Sequence, residues 1–273
     1  MMEICINGRF QTGAAPALAI TDKSYRYGDG LFETMKMQKG HLQRAQAHFD
    51  RLQRGIKLLG YDITSFPDPP AFTKLISELC RRNECLELGR VRLTVSAGNG
   101  GLFEDSQPNF SIECWPLTAA AETFNSTGLR LTVCPGVRKS HDWLANLKSA
   151  NYLPYAVAAR YARHQQADDC IVLNTDDRIA DTCIANIFMI RDGKIFTPPL
   201  TEAPVAGVTR QYLLGRLPVI ETPLSLTDLQ QAQEVFVTNA INGLRWVAEI
   251  DGQSYTHQQT AEIFRKHMQT ITG

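Results

Sequence analysis

The sequence has no excess of positive or negative charge: 28 Lys and Arg stand against 28 Asp and Glu, for a formal net charge of zero. No run of like charges forms a phosphate-tracking patch, which argues against nucleic acid and anionic membrane as partners and favours a small, neutral molecule. The first residues, MMEICINGRF, carry no basic stretch followed by an apolar segment, and nowhere do eighteen apolar residues run together. Export and membrane spanning are therefore unsupported, and a cytoplasmic protein is expected. Paired cysteine spacing is missing too. The seven cysteines (5, 80, 85, 114, 134, 170 and 183) are odd in number and lack any C-x-x-C pair, which fits neither a disulfide framework nor a zinc site. No metal is expected, and most of these thiols read as small buried apolar residues. Internal repeats and low-complexity tracts are also absent.

With 273 residues the chain sits where single cores stop growing, so two domains are expected. In EICINGRF, Asn7-Gly8 marks a tight turn between two strands. HLQRAQAHFDRLQRGIKLLGY places Leu42, Ala45, Phe49, Leu52, Ile56 and Leu59 at spacings of three and four, an amphipathic helix closed by Gly60. Its opposite face holds Arg44, Arg51 and Arg54. A second helix is expected from about Pro70 to Glu84, followed by paired strands RVRLTVSAG and NFSIECWPL around the Gly98–Gly101 turn. These elements make an N-terminal α+β domain over 1–117. The small, polar, weakly patterned stretch TAAAETFNSTG reads as a linker at 118–127. The second domain, 128–273, continues with strand LRLTVC, an Ala-rich helix over about 152–164, strands DCIVLN, NIFMIR and KIFTPP, a helix from Thr209 and strand EVFVTN.

Lys148 follows the apolar WLANL and precedes a helix, a setting that desolvates an ammonium and favours the nucleophilic free amine. Alone, such a lysine reads as a surface residue near a helix start. It does not stand alone. D-K-S-Y-R-Y-G-D-G-L-F-E-T, H-F-D-R-L, L-K-S-A-N-Y-L, D-T-C-I-A-N-I-F, T-P-P-L with G-V-T-R, and E-V-F-V-T-N-A occur in that order along nearly the whole chain. Together they resemble the class IV aminotransferase-like, fold-type-IV enzymes dependent on pyridoxal 5'-phosphate (PLP): D-amino-acid and branched-chain aminotransferases and aminodeoxychorismate lyases.

The resemblance implies a two-domain α+β fold, with a smaller N-terminal domain, a larger C-terminal domain and a cofactor cleft between them. It assigns Lys148 as the lysine that carries PLP as a Schiff base and shuttles the proton once an amine substrate displaces it. Arg51 matches the arginine that clamps the cofactor phosphate. Val208 and Thr209 open a helix whose N–H groups and hydroxyl would bind that phosphate, and Thr238 and Asn239 match a second phosphate-proximal turn. Tyr27, Arg92 and Tyr152 are the residues assigned to substrate. Asp181 stands where the family usually has a glutamate paired with the pyridine nitrogen, which keeps the ring an electron sink. Aspartate is one methylene shorter, so either the backbone approaches, a water intervenes, or the pyridinium is less enforced.

Y-G-D-G-L-F-E-T is closer to D-amino-acid aminotransferases and lyases than to branched-chain enzymes. Ala97 replaces the arginine of the carboxylate trap in D-amino-acid aminotransferases. The Gly-rich turn, D-T-C-I-A-N-I-F and T-N-A-I-N-G-L-R favour aminodeoxychorismate lyase. Against it, Ala97 also replaces an arginine common in lyases, and N-Y-L after Lys148 points to the branched-chain group. An amino-acid transaminase therefore stays as the alternative, with an inactive PLP-binding homologue behind it. The resemblance also implies a homodimer.

Overall fold

A computed structural model describes residues 2–14 and 17–268. The chain forms two compact units, Met1–Ala119 with Lys148–Tyr152, and Ala120–Leu147 with Leu153–Gly273.

The first unit contains β1 (Glu3–Ile6), β2 (Arg9–Thr12), α1 (Lys23–Tyr27), β3 (Gly30–Gln38), β4 (His41–Leu42), α2 (Ala45–Leu59), α3 (Pro69–Arg82), β5 (Leu88–Ser96) and β6 (Asn109–Pro116). Its six strands pair antiparallel in the order β2-β1-β6-β5-β3-β4. Asn7 and Gly8 both take positive φ, 47° and 83°, the geometry of a type I′ hairpin turn. The apolar stripe of α2 buries Phe49, Leu52 and Ile56, and α3 buries Phe72, Ile76 and Leu79. Phe72 links helices to sheet, with its ring centroid 6.1 Å from Phe49 and 4.9 Å from Phe110 of β6. The helix starts three residues later than its apolar spacing suggests. Leu42 belongs to β4, and Arg44, at φ 51°, makes a left-handed turn before Ala45.

The second unit contains β7 (Leu129–Lys139), α4 (Leu153–His164), β8 (Asp169–Asn174), β9 (Ile179–Thr182), β10 (Asn186–Arg191), β11 (Lys194–Thr197), α5 (Val208–Leu214), β12 (Val219–Glu221), α6 (Leu226–Gln230), β13 (Glu234–Asn239), β14 (Gly243–Ile250), β15 (Gln253–Ser254) and α7 (Gln258–His267). Eight strands run in the order β12-β11-β10-β13-β14-β7-β8-β9, with β15 paired to β14. Pairs β11/β12, β14/β7 and β7/β8 are parallel. Central strands of this sheet are buried along their length, β8 at every residue, as expected for a sheet covered on both faces. One cluster includes Ile171, Ile187, Val235 and Val247, and another Phe188, Phe236, Ile263 and Phe264. Phe188 and Phe236 stack across β10 and β13, 4.8 Å apart and 6° from parallel.

Residues 120–127 cluster with the second unit, held by one aromatic side chain, Phe124, whose ring lies 5.2 Å from Phe264, and by polar contacts of Asn125. Asn125 donates its amide to the Trp246 carbonyl at 2.9 Å and accepts from the Trp246 N–H at 3.1 Å. Anchoring of this kind leaves no hydrophobic period in the sequence. All seven cysteines are free and buried.

Candidate active site

In the first unit, residues 148–152 lie along β3. The Phe32 N–H donates to the Lys148 carbonyl at 2.9 Å, the Ala150 N–H donates to the Gly30 carbonyl at 2.7 Å, and Leu31 bridges Ser149. Lys148 itself is half-buried. Its ammonium stands 4.4 Å from the centre of the Phe32 ring and 5.4 Å from that of Tyr152. Arg92, reaching across from β5, places its guanidinium 3.9 Å from the same Phe32 ring. Phe32 and Tyr152 meet edge-on at 5.4 Å. Lys148, Arg92 and Tyr152, three of the residues picked out by resemblance, are thus gathered around one aromatic ring that the sequence reading passed over. Tyr27 is not part of that group: it lies in α1 and is 45% exposed.

Arg51 is not on the solvent face of its helix. It is 9% exposed and turns inward to Glu33 of β3, donating through Nε to Oε1 at 2.8 Å and through a terminal nitrogen to Oε2 at 2.5 Å. His48 Nδ1 donates to the same carboxylate at 2.6 Å. The reason is charge compensation: a buried guanidinium needs a paired carboxylate. Burial works against ionisation of Glu33, but the Arg51 charge and the hydrogen bonds from Arg51 and His48 outweigh it and bring the carboxyl down to about 2. Burial likewise holds the His48 imidazole below its usual value.

A pH dependence follows from these signs. A group whose folded pKa is depressed stabilises the fold above its unfolded pKa and loses that contribution as pH falls through the folded one. Glu33 therefore contributes a loss spread from about 4.5 down to about 2, worth about 3 kcal/mol. Glu33→Gln should lower stability at neutral pH by about 3–5 kcal/mol, because it leaves the Arg51 charge buried without a carboxylate. Its acid unfolding, followed by circular dichroism, should be shallower than wild type across that window. Superimposable acid profiles would show that Glu33 does not carry this charge.

In the second unit, Asp181 of β9 is 2% exposed. Its Oδ2 accepts from the Tyr155 hydroxyl at 2.8 Å and from the Val205 N–H at 2.8 Å, with the Lys139 ammonium 3.5 Å away. Oδ1 accepts from Tyr155 at 3.0 Å and keeps capacity for a further donor. Burial pushes the Asp181 carboxyl up from its ordinary value, against the pull of Lys139, Val205 and Tyr155.

Near α5, the Thr209 and Thr238 hydroxyls are buried with no hydrogen-bond partner among the described residues, each residue 1% exposed. Buried hydroxyls without partners are costly, and two of them mark a place for acceptor oxygens. Val208 and Thr209 open α5, so their amides belong to the first turn, which has no intrahelical acceptors. Gly207 precedes them because nothing larger fits: a Cβ there would lie 1.8 Å from Asn186 Oδ1, while the Asn186 amide donates to the Val205 carbonyl at 2.9 Å. Asn239 is committed elsewhere. Its side-chain oxygen accepts from the N–H groups of Ile241 and Asn242, at 3.0 and 2.8 Å, and so shapes the turn after Thr238.

A model of the family described as amino-transferase class IV matches residues 30–250. The chain belongs to this family. Among its relatives, an aminodeoxychorismate lyase of Vibrio harveyi is 29% identical over 90% of each chain. A Methanocaldococcus jannaschii protein, provisionally named a branched-chain-amino-acid aminotransferase, is 28% identical over 97% of this chain and 93% of its own. In three dimensions, the branched-chain aminotransferase of Thermoproteus uzoniensis, solved with norvaline, superposes with a TM-score of 0.86 at 24% identity, covering 97% of this chain and 94% of that one. The two-domain α+β fold implied by the motifs is that of the class IV aminotransferases.

Class IV aminotransferases are PLP-dependent enzymes, and PLP is the cofactor here. The second unit fits it chemically: two partnerless hydroxyls and the first-turn amides of α5 suit a phosphate, and Asp181 retains an acceptor oxygen. Sequence reasoning missed Phe32, Glu33, Lys139 and Tyr155. Signals were available for three of them, since Phe32 and Glu33 lie inside the Y-G-D-G-L-F-E-T motif and Tyr155 is three residues past Tyr152.

Proposed function

We propose that this class IV aminotransferase uses Lys148 as its cofactor lysine and base and acts as a 4-amino-4-deoxychorismate lyase, releasing 4-aminobenzoate and pyruvate. The observation that carries the reading is the group around Phe32. A planar, unsaturated substrate ring bearing carboxylates suits an aromatic face with a guanidinium and an amine against it, because the face takes the ring, Arg92 the carboxylate, and Lys148 the carbon bearing nitrogen. The reading assigns phosphate binding to Arg51, Val208, Thr209 and Thr238, the pyridine nitrogen to Asp181, and substrate contacts to Arg92 and Tyr152. Tyr27 remains a substrate residue on resemblance alone, and Asn239 supports the Thr238 turn.

PLP supplies the electron sink for the substrate carbon once it is bound. Arg92 orients the substrate through its carboxylate, while Phe32 and Tyr152 limit where its ring can lie. Lys148, displaced by the substrate amine, takes the proton from the carbon bearing that amine as a general base. The substrate ring then becomes aromatic as its enolpyruvyl ether bond breaks, and the departing enolpyruvate becomes pyruvate by taking up at its methylene carbon the proton that Lys148 removed. Asp181 holds the proton at the pyridine nitrogen throughout.

A transaminase is the second reading, favoured by the near full-length match to the protein named a branched-chain aminotransferase. It shares the roles of Lys148 and Asp181 and differs in where Lys148 delivers the proton. Ala97, buried at 6%, offers no carboxylate trap of the D-amino-acid type. PLP-loaded protein should form 4-aminobenzoate and pyruvate from 4-amino-4-deoxychorismate. Turnover only with L- or D-amino acids plus 2-oxoglutarate would replace the lyase by the transaminase, and no turnover with any of these would leave a binding homologue. Homodimeric assembly is part of the proposal on the strength of the resemblance, and a monomeric mass at full activity would remove it. No helix among the described residues is long and apolar enough to cross a membrane.

A further inference from the structure

Asp181 is enclosed by a cation and a phenol from two other elements. Lys139 ends β7 and Tyr155 lies in the first turn of α4. The Lys139 ammonium donates to the Tyr155 oxygen, and the Tyr155 hydroxyl donates to both Asp181 oxygens, at 3.0 and 2.8 Å. Ammonium, phenol and carboxylate therefore form a short relay, closed by the direct 3.5 Å approach of Lys139 to Oδ2. All three are deeply buried, at 8%, 5% and 2% exposure.

Lys139 reaches this place through an irregularity in its strand. Along β7/β8, Val133 pairs with Ile171 but Arg138 pairs with Leu173, so β7 spends extra residues between Val133 and Arg138. After that excursion Lys139 stands opposite Asn174, while Asp181 stands opposite Val172 on the other edge of β8. Bulges re-aim side chains next to sites, and this one delivers a cation to a carboxylate two strands away.

Neither charge would persist here alone. Burial pushes the Asp181 carboxyl up toward its neutral form and the Lys139 amine down toward its own. Each offsets the other. The titratable groups acting on Asp181 are Lys139 of β7 and Tyr155 of α4, and the stretch before α5 adds only the Val205 N–H.

We infer that Lys139, acting directly and through Tyr155, is a positioning residue that keeps Asp181 ionised in its buried site and leaves Oδ1 as the oxygen that meets the cofactor's pyridine nitrogen. The second half rests on the proposed role of Asp181; the first half does not. Lys139 touches neither cofactor nor substrate in this account. It also bears on the aspartate itself: a carboxylate braced from behind by a phenol and an ammonium is fixed against β9, and the shorter side chain leaves room for that bracing.

Two measurements separate the halves. In apoprotein carrying 13C-labelled Asp, with the Asp181 signal assigned through Asp181→Asn, the wild-type carboxyl should be ionised at neutral pH. Lys139→Met should move its midpoint upward by at least about one unit, and Lys139→Arg should restore the wild-type position. In the PLP-loaded enzyme the acid limb of kcat should move upward with Lys139→Met and return with Lys139→Arg. An Asp181 signal unchanged in Lys139→Met overturns the inference outright. A shifted signal with an unmoved acid limb overturns its link to the cofactor. Should Lys139→Met fail to fold, Tyr155→Phe decides: a shift in the same direction supports the relay, and none overturns it. Wild-type protein that takes up no PLP would sink the proposed function while leaving the apoprotein result to stand or fall separately.

Discussion

Lys148→Ala should lose the covalent link to PLP and nearly all turnover, with the fold intact. The segment that carries it is held by backbone hydrogen bonds to Gly30 and Phe32, which the substitution does not touch. What disappears is the amine and its attraction to the Phe32 and Tyr152 rings, about 0.5–1 kcal/mol at a half-exposed site. The thermal midpoint should therefore change little. Loss of a positioned general base slows proton transfer by roughly 10²–10⁴-fold, and loss of the attachment point removes a covalent route as well. The readouts are the yellow colour kept after dialysis, the absorption band removed by borohydride, and single-turnover rates. A variant that still holds PLP in a borohydride-sensitive linkage would show that another lysine carries it.

Asp181→Asn should separate binding from chemistry. Its amide keeps the shape of the carboxylate and can still accept from Tyr155 and from the Val205 N–H, and the phosphate groups around Thr209 and Thr238 are untouched, so PLP should still load. On the proposed role, the charge that faces the pyridine nitrogen is gone, and carbanion formation should slow by about two orders of magnitude, or about 3 kcal/mol of barrier. A second effect comes from the other side. Lys139 loses the carboxylate that keeps it charged and must shed its proton in the buried site, so the melting temperature should fall as well. Asp181→Glu tests the fit: at 2% exposure, with three donors around it, an added methylene should overpack by about 1–3 kcal/mol. Near wild-type turnover of Asp181→Asn, in an assay limited by proton abstraction, would mean that another acid serves the pyridine nitrogen.

How legible these features were depended on whether their partners were near in sequence. β5 buries alternate residues over much of its length and shows as period two in the sequence, and α2 shows its stripe at threes and fours. β3 was harder, because seven of its nine residues are buried, on both faces, and an unbroken buried run carries no alternation. α7 escaped notice since its burial rests on Thr260, Ile263 and Phe264 alone among charged and polar neighbours. β14 was hidden in a stretch that reads as small and polar at its start. In the candidate site, Lys148 and Tyr152 were singled out through L-K-S-A-N-Y-L, whereas Arg92 lies outside the quoted motifs and was assigned by resemblance alone. Arg51 was identified but placed on a wet helix face, because the carboxylate that draws it inward lies 18 residues away on a strand. Lys139 was invisible for a similar reason: its partner Asp181 is 42 residues on, and the excursion of β7 that aims it follows from pairing across β8.

The five residues Lys148–Tyr152 belong to the first unit, yet 28 residues of the second, Ala120–Leu147, precede them in the chain. During synthesis the first unit is therefore still missing a piece when its last main strand, β6, has been made. β3 must wait with its Gly30–Phe32 backbone groups unclaimed until residue 152 has emerged. Order of synthesis and order of completion thus differ, and a fragment ending at residue 119 contains every strand of the N-terminal sheet but never receives the lysine.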